Sequence, residues 1–272
     1  MSKRLTLNFF VILIACLIWF TPVVWVISLS FQPNELLQKT TTNFLFGFFP
    51  IPFTVENYIK MWSSNFDIWV MNSLIVALCA TFFTTVFCSM AGYAFARIDF
   101  FGRKFIYPLV LGGLMIPGEL LFIPLFTQFS SLGLNNTHTG LFLPKLAIPF
   151  GVFIMTQYFK GVPKEVEEAA TIDGCTKLQI FFRIIVPLSG PVIASAAIFQ
   201  TVWIWNEFLL ALIMLTSDDF KTLPIGLLKL RGEWTSDWGA IMAGLTIAVI
   251  PGLIVFLLFQ KYFVRSLAGL GK

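Results

Sequence analysis

Lys160-Gly161-Val162-Pro163-Lys164-Glu165-Val166-Glu167-Glu168-Ala169-Ala170-Thr171-Ile172-Asp173-Gly174 decides the reading of this chain. The stretch is short, charged and helical in pattern, and long apolar runs flank it on both sides. A membrane chain that keeps such an element between two spans presents it to something in water. Pro163 suits a first helical turn, where its missing N–H costs nothing. Glu165, Glu167 and Glu168 stand near that N-terminus, where the helix dipole favours negative charge. Val166, Ala169, Ala170 and Asp173 follow i, i+3, i+4, i+7 spacing and share one small, nearly smooth face, which lets another surface come close. Gly174 suits the left-handed conformation that ends many helices. Thr176, with Gln179 three residues on, reads as a capping box. It opens a second helix with Leu178, Phe181, Phe182, Ile184 and Ile185, and Pro187 and Pro191 mark its junction with the next apolar run.

The flanking runs belong to a chain of 272 residues that is 57% hydrophobic and only 12% charged. Its mean hydropathy is +0.85. A soluble domain cannot hide that much apolar surface, whereas a polytopic membrane protein can. The net charge of +4 is too small to suggest nucleic acid. Cys16, Cys79, Cys88 and Cys175 form no CxxC or Cys/His cluster, so neither a disulfide framework nor a metal site is suggested. The single histidine, His138, lies in a short polar loop and reads as solvated or locally bonded. The scarcity of His, Cys and clustered carboxylates argues against a membrane-embedded enzyme.

Six apolar runs are long enough to cross hydrocarbon, at about 7–29, 73–95, 105–126, 140–159, 192–215 and 241–263. Ser2-Lys3-Arg4 before the first run suggests a signal peptide, and Leu13-Ile14-Ala15-Cys16 a lipoprotein cleavage box. The run nevertheless continues through Leu17-Ile18-Trp19-Phe20 with no polar mature start, so it reads as an uncleaved span. Pro108, Pro117, Pro124, Pro144 and Pro149 fall inside spans, where neighbouring helices can satisfy the freed carbonyls. Lys and Arg in the connections divide about twelve to six between the two sides. That bias puts both termini and the 160–174 stretch in the cytoplasm of a multi-pass protein of the cell membrane. The expected fold is all-α, with six transmembrane helices and a cytoplasmic helix between spans four and five. It is a single domain over 1–272. Its first span and external segment cover 1–70, a core covers 71–263 with the loop at 160–187, and a cytoplasmic tail covers 264–272.

Glu168-Ala169-Ala170, Asp173, Gly174, Ile184 and Pro187 together resemble the EAA loop of permease subunits in binding-protein-dependent ABC importers. Val186 stands where leucine is usual before the proline. Asn136-Thr137, Gly140-Leu141, Trp205-Asn206-Glu207-Phe208, Thr222-Leu223-Pro224-Ile225-Gly226-Leu227 and Gln260-Lys261-Tyr262-Phe263-Val264 are similar to the carbohydrate-uptake branch, in particular the smaller six-span permease of maltose-type importers. The tail Leu267-Ala268-Gly269-Leu270-Gly271-Lys272 departs from the usual glycine-rich ending. The resemblance implies that the loop is a coupling helix docking on a cytoplasmic ATPase. It implies a second homologous permease, two ATPase subunits and an extracytoplasmic solute-binding protein as partners. The pathway would carry an oligosaccharide, polyol or glycerol phosphate by alternating access. ATP and Mg would be bound by the ATPase subunits. No G-x-x-x-x-G-K-[ST] occurs in the chain, so it is expected to have no cofactor or ATPase site of its own.

Polar groups inside spans are expensive and face a pore or another helix. Asn206 and Glu207, with Trp203 and Trp205 beside them, are candidate path-lining residues, since aromatic faces pack on sugar rings and amides or carboxylates bond hydroxyls. The two tryptophans point about 200° apart on a helix, so only one can face a given path. The other reading is helix packing and subunit interface. Glu119 and Lys145 lie near outer ends and are expected to snorkel. A secondary transporter or channel working without an ATPase is the alternative function. It would call for inverted repeats and ionisable groups at mid-bilayer, and the sequence offers no convincing repeat.

Overall fold

A computed structural model describes residues 2–39, 47–49, 51–232 and 236–269. Parts of the expected external and polar segments (40–46, 50 and 233–235) and the end of the expected tail (Leu270-Gly271-Lys272) lie outside the described residues. The described residues are mostly helical: α1 (Ser2–Ser30), α2 (Asn34–Lys39), α3 (Glu56–Trp62), α4 (Phe66–Arg97), α5 (Arg103–Gly112), α6 (Phe122–Ser131), α7 (His138–Phe142), α8 (Pro149–Gly161), α9 (Glu165–Ile172), α10 (Lys177–Ile180), α11 (Val186–Leu188), α12 (Gly190–Trp205), α13 (Leu209–Met214), α14 (Leu223–Lys229) and α15 (Trp238–Gly269). Among the described residues there is no strand, only an isolated bridge between Arg231 and Ser236.

Three helices are long and apolar enough to cross a membrane unaided: Asn8–Ser30, Phe66–Arg97 and Trp238–Leu258. Three bent pairs pass the same test together. Arg103–Met115 and Gly118–Ser131 meet at 96°, His138–Lys145 and Pro149–Gly161 at 43°, and Lys177–Leu188 and Gly190–Trp205 at 77°. The third apolar run is therefore broken where the sequence reading draws it whole, the fourth bends before Pro149, one of the two prolines expected to break it, and the last pair bends at Ser189, in the expected junction between the 160–187 loop and the fifth run. The reason is local. Ile116 and Ile148 each precede a proline and are pushed into extended conformations, at φ −92°, ψ 115° and φ −104°, ψ 138°. The fifth run itself, drawn whole in the sequence reading, breaks at 206–208, so that Leu209–Met214 is a separate helix.

The contacts group the chain into two compact units. In the first, Met1–Val70 with Leu223–Leu253, α1 is apolar all round and exposed from Phe9 to Phe20. A helix of that kind needs lipid or another protein against it. Below it, buried Asn57 donates to the carbonyls of Ser30 (2.8 Å) and Gln32 (2.7 Å) and so pins the chain leaving α1. Phe66 and Trp69 are fully buried and meet edge to face, with ring centroids 6.4 Å apart.

The second unit, Met71–Thr222 with Ile254–Lys272, is built around α4, α8 and α12. Thr81, Thr84 and Cys88 lie on one face of α4 by their i, i+3, i+7 spacing. Thr81 Oγ1 is 3.0 Å from Thr201 Oγ1 of α12. Thr84 donates to the Lys145 carbonyl, and Cys88 Sγ lies 3.7 Å from the Ile148 carbonyl. The carbonyls freed at the break before α8 thus find partners on α4, as irregular backbone at membrane depth requires. One turn on, Gly92 lets α4 and α8 touch, because a Cβ there would stand 2.5 Å from Met155 Cβ.

At the other end of this unit, Asn136, at φ +54°, accepts through Oδ1 from the N–H groups of Thr216 (2.7 Å) and Ser217 (2.8 Å). Asn72 donates to the carbonyls of Asp219 (2.8 Å) and Lys221 (3.0 Å), and its Oδ1 lies 2.9 Å from His138 Nε2. His138 is therefore locally bonded.

Candidate functional site

The 160–187 segment is shaped by its own backbone chemistry. Val162 is extended, at φ −70° and ψ 132°, because Pro163 follows it, and this stops α8. Pro163 lies just outside α9, which carries Glu165, Glu167 and Glu168 in its first turn. At the far end Gly174 has φ +83°. Its N–H bonds the Thr171 carbonyl (3.0 Å) and the Cys175 N–H bonds the Ala170 carbonyl (3.0 Å). That double return is a Schellman ending, which glycine enters without the strain a side chain adds. The capping box then forms in full: Thr176 N–H to Gln179 Oε1 at 2.8 Å, and Gln179 N–H to Thr176 Oγ1 at 3.4 Å. The helix widens to a π turn over Phe181–Ile185 just before Pro187, whose ring and missing N–H leave no room for a regular turn.

The expected common face of Val166, Ala169, Ala170 and Asp173 is divided. Ala170 is buried against Phe159, Ile180, Phe181 and Ile185, with Ile184 packed on the same cluster. Val166 is half-buried, while Glu168, Ala169 and Asp173 are exposed. Beside them Ile172 is 87% exposed and Leu178 64% exposed. The smooth outer surface of α9 is therefore Ala169 with an uncovered isoleucine. The signal for it was in the sequence, an apolar residue at the last turn of a charged helix, and went unread.

The inner side of α9 is held by charge. Arg97, at the end of α4, places Nε 3.0 Å from Glu167 Oε1, off line for a hydrogen bond and so an ionic contact. Arg97 Nη2 donates to the Val162 carbonyl. Tyr93 donates to Glu167 Oε2 at 3.1 Å.

The four residues expected near a solute path have different surroundings. Trp203 is exposed and lies 6.0 Å from the Phe199 ring, whereas Trp205 is buried. Asn206 is exposed and its Nδ2 donates back to the Val202 carbonyl at 2.8 Å. Glu207 pairs with Lys145, and Oε1 also accepts from the Leu210 N–H at 3.2 Å. Lys145 thus has a carboxylate partner in place of the expected snorkelling. A cavity of about 750 Å³ lies between α4, α8 and α12, lined by Thr84, Thr85, Gln157, Ser195 and Gln200 among Phe150, Phe199 and other apolar groups. None of the four candidates lines it. Gln157 and Gln200, amides inside apolar runs, were the readable signal for it.

Comparison with known proteins follows the same lines. Residues 88–269 match the family described as the binding-protein-dependent transport system inner membrane component. The chain belongs to this family. It is 40% identical to the arabinooligosaccharides transport system permease protein of Halalkalibacterium halodurans, over 90% of this chain and 88% of that one. It is 35% identical to the trehalose/maltose transport system permease protein of Thermococcus litoralis, over 98% of this chain and 96% of that one. It is 34% identical to the diacetylchitobiose uptake system permease protein of Streptomyces coelicolor, over 91% and 82%. Its fold matches a chain of a bacterial ABC transporter involved in the import of the acidic polysaccharide alginate, with a TM-score of 0.82 over 97% of this chain and 98% of that chain, at 21% identity. The protein is an integral-membrane permease component of a binding-protein-dependent importer, not a transporter that works without an ATPase.

Proposed function

We propose that this permease forms half of the translocation pathway for an oligosaccharide or related sugar-like solute, and that α9 is its coupling helix. A second homologous permease completes the pathway. Two cytoplasmic ATPase subunits bind ATP and Mg and carry out all the hydrolysis, since this chain has no phosphate loop of its own. An extracytoplasmic binding protein delivers the solute. The three long helices and three bent pairs act as six spans, with both termini and α9 in the cytoplasm.

The observation that carries the reading is the two-sided character of α9. Its inner side is locked into the cluster around Ala170, and its outer side leaves Ile172 uncovered between two membrane-crossing segments. An uncovered isoleucine on a water-facing helix fits a partner's groove. The solute class rests on the names of the relatives, which transport arabinooligosaccharides, diacetylchitobiose and trehalose or maltose. The test is uptake of labelled oligosaccharides by cells expressing the chain with its partners. Uptake should stop when ATP is depleted with the proton gradient maintained. Uptake that survives would contradict the reading.

A further inference from the structure

Arg97 sits where α4, α8 and α9 meet, and its guanidinium holds two of them at once. Its side chain is 7% exposed and that of Glu167 is 18% exposed. Through Nη2 it takes the Val162 carbonyl, on one side of Pro163, and through Nε it faces Glu167, on the other. The bend between α8 and α9 is therefore bridged by one side chain from α4. Tyr93 stands one turn earlier on the same face of α4 and donates to the second oxygen of the same carboxylate. The Tyr93 ring also packs on Phe181 (5.0 Å) and edge-on to Phe159 (5.9 Å). Four segments thus converge on Tyr93 and Arg97: α4, the end of α8, α9 and the π turn.

We propose that Arg97 and Glu167, steadied by Tyr93, are positioning residues that transmit movement of α9 to α4. The inference rests on the coupling role of α9 proposed above and names the route from that helix into the spans. Without the clamp, α9 keeps only the packing of Ala170 between Pro163 and Gly174, two points where the backbone turns, and much of a push on its outer face is absorbed by rotation there. With the clamp, the push arrives at the last turn of α4, whose other contacts reach α8 and α12 through Thr84 and Thr81. A buried ion pair is a poor way to add stability compared with apolar packing, but it has direction and partner choice. Lysine cannot replace Arg97, because a single ammonium lacks the planar fork that reaches the Glu167 carboxylate and the Val162 carbonyl together.

The test uses the assembled importer in proteoliposomes with solute-loaded binding protein, comparing the unmodified chain with Arg97→Lys, Glu167→Gln and Gly174→Asp. Co-purification of the ATPase, ATP hydrolysis and solute uptake are measured on each. Arg97→Lys and Glu167→Gln are expected to retain the ATPase and to hydrolyse ATP, while solute moved per ATP falls by about tenfold, within the range of mutational effects on coupling. An unchanged ratio overturns the proposal. So does loss of the ATPase from Arg97→Lys as complete as from Gly174→Asp, which would make Arg97 a prop for the docking surface alone. Should the charged variants fail to insert, Tyr93→Phe carries the test: a lowered ratio supports the clamp and an unchanged one overturns it. Absence of an ATPase from the unmodified complex would instead reject the coupling reading itself.

Discussion

Lys145 and Glu207 form an ion pair that ties the break before α8 to the break between α12 and α13, with side-chain exposures of 13% and 14%. The same carboxylate accepts from the Leu210 N–H in the first turn of α13. Lys145 meanwhile stands at the end of a 3-10 turn, where the local dipole favours a cation. Two irregular stretches of backbone are thus fixed by one pair of charges.

Removing one partner leaves the other charged and largely buried. Glu207→Ala is expected to destabilise the chain by about 3–5 kcal/mol, read as a lowered midpoint of thermal unfolding in mild detergent. Lys145→Met with Glu207→Leu should recover much of that loss, since apolar replacement of both partners removes the unpaired charge. A double variant as unstable as the sum of the two single ones would show that the pair is not coupled.

Gly92 sets the approach of α4 to α8. Gly92→Leu should cost about 1–3 kcal/mol by overpacking against Met155, or push the helices apart. It should also enlarge the cavity beside them. A cysteine pair placed at Thr85 and Gln157, cross-linked with reagents of graded length, reads the separation. Unchanged cross-linking with unchanged stability would count against the close contact.

Asn72 is buried and serves two carbonyls of the 216–222 segment. Asn72→Ala leaves both unsatisfied, at roughly 1–3 kcal/mol for the lost partners. Amide hydrogen exchange should rise over residues 216–222 and stay unchanged in α9. Uniform acceleration across the chain would mean that Asn72 supports the whole fold and not this segment.

At Gly174 the space is open, since a Cβ there meets nothing within 4 Å. The backbone is the constraint, with a left-handed residue costing about 1–2 kcal/mol for an L side chain. Gly174→Ala should therefore weaken transport modestly, while Gly174→Asp adds a charge to the outer surface and should abolish it with normal membrane insertion. Equal activity of the two variants would remove the surface argument and leave only strain.

Much of this was legible from local chemistry. The apolar runs require an all-helical membrane chain. Gly174 and the Thr176/Gln179 pair announce their caps because the signals lie within a few residues of one another. The residue pairs far apart in sequence were not legible. Nothing near Arg97 says that it meets Glu167, and nothing near Lys145 says that Glu207 is within reach. The side taken by Ala170 was misjudged for the same reason. Spacing shows which residues share a face, but the direction of that face is set by Phe159 and Phe181, which come from other elements. The breaks at Pro117 and Pro149 were visible as prolines, but their angles depend on how α4 and its neighbours receive the freed carbonyls.

The central claim is that α9 docks an ATPase that powers transport through this permease. The most direct measurement is to tag the chain, extract the complex in mild detergent and identify by mass spectrometry what co-purifies, with Gly174→Asp alongside. The account predicts a P-loop ATPase and a second permease with the unmodified chain, and loss of the ATPase alone with the variant. Recovery of the unmodified chain by itself, still moving solute after reconstitution, would contradict it.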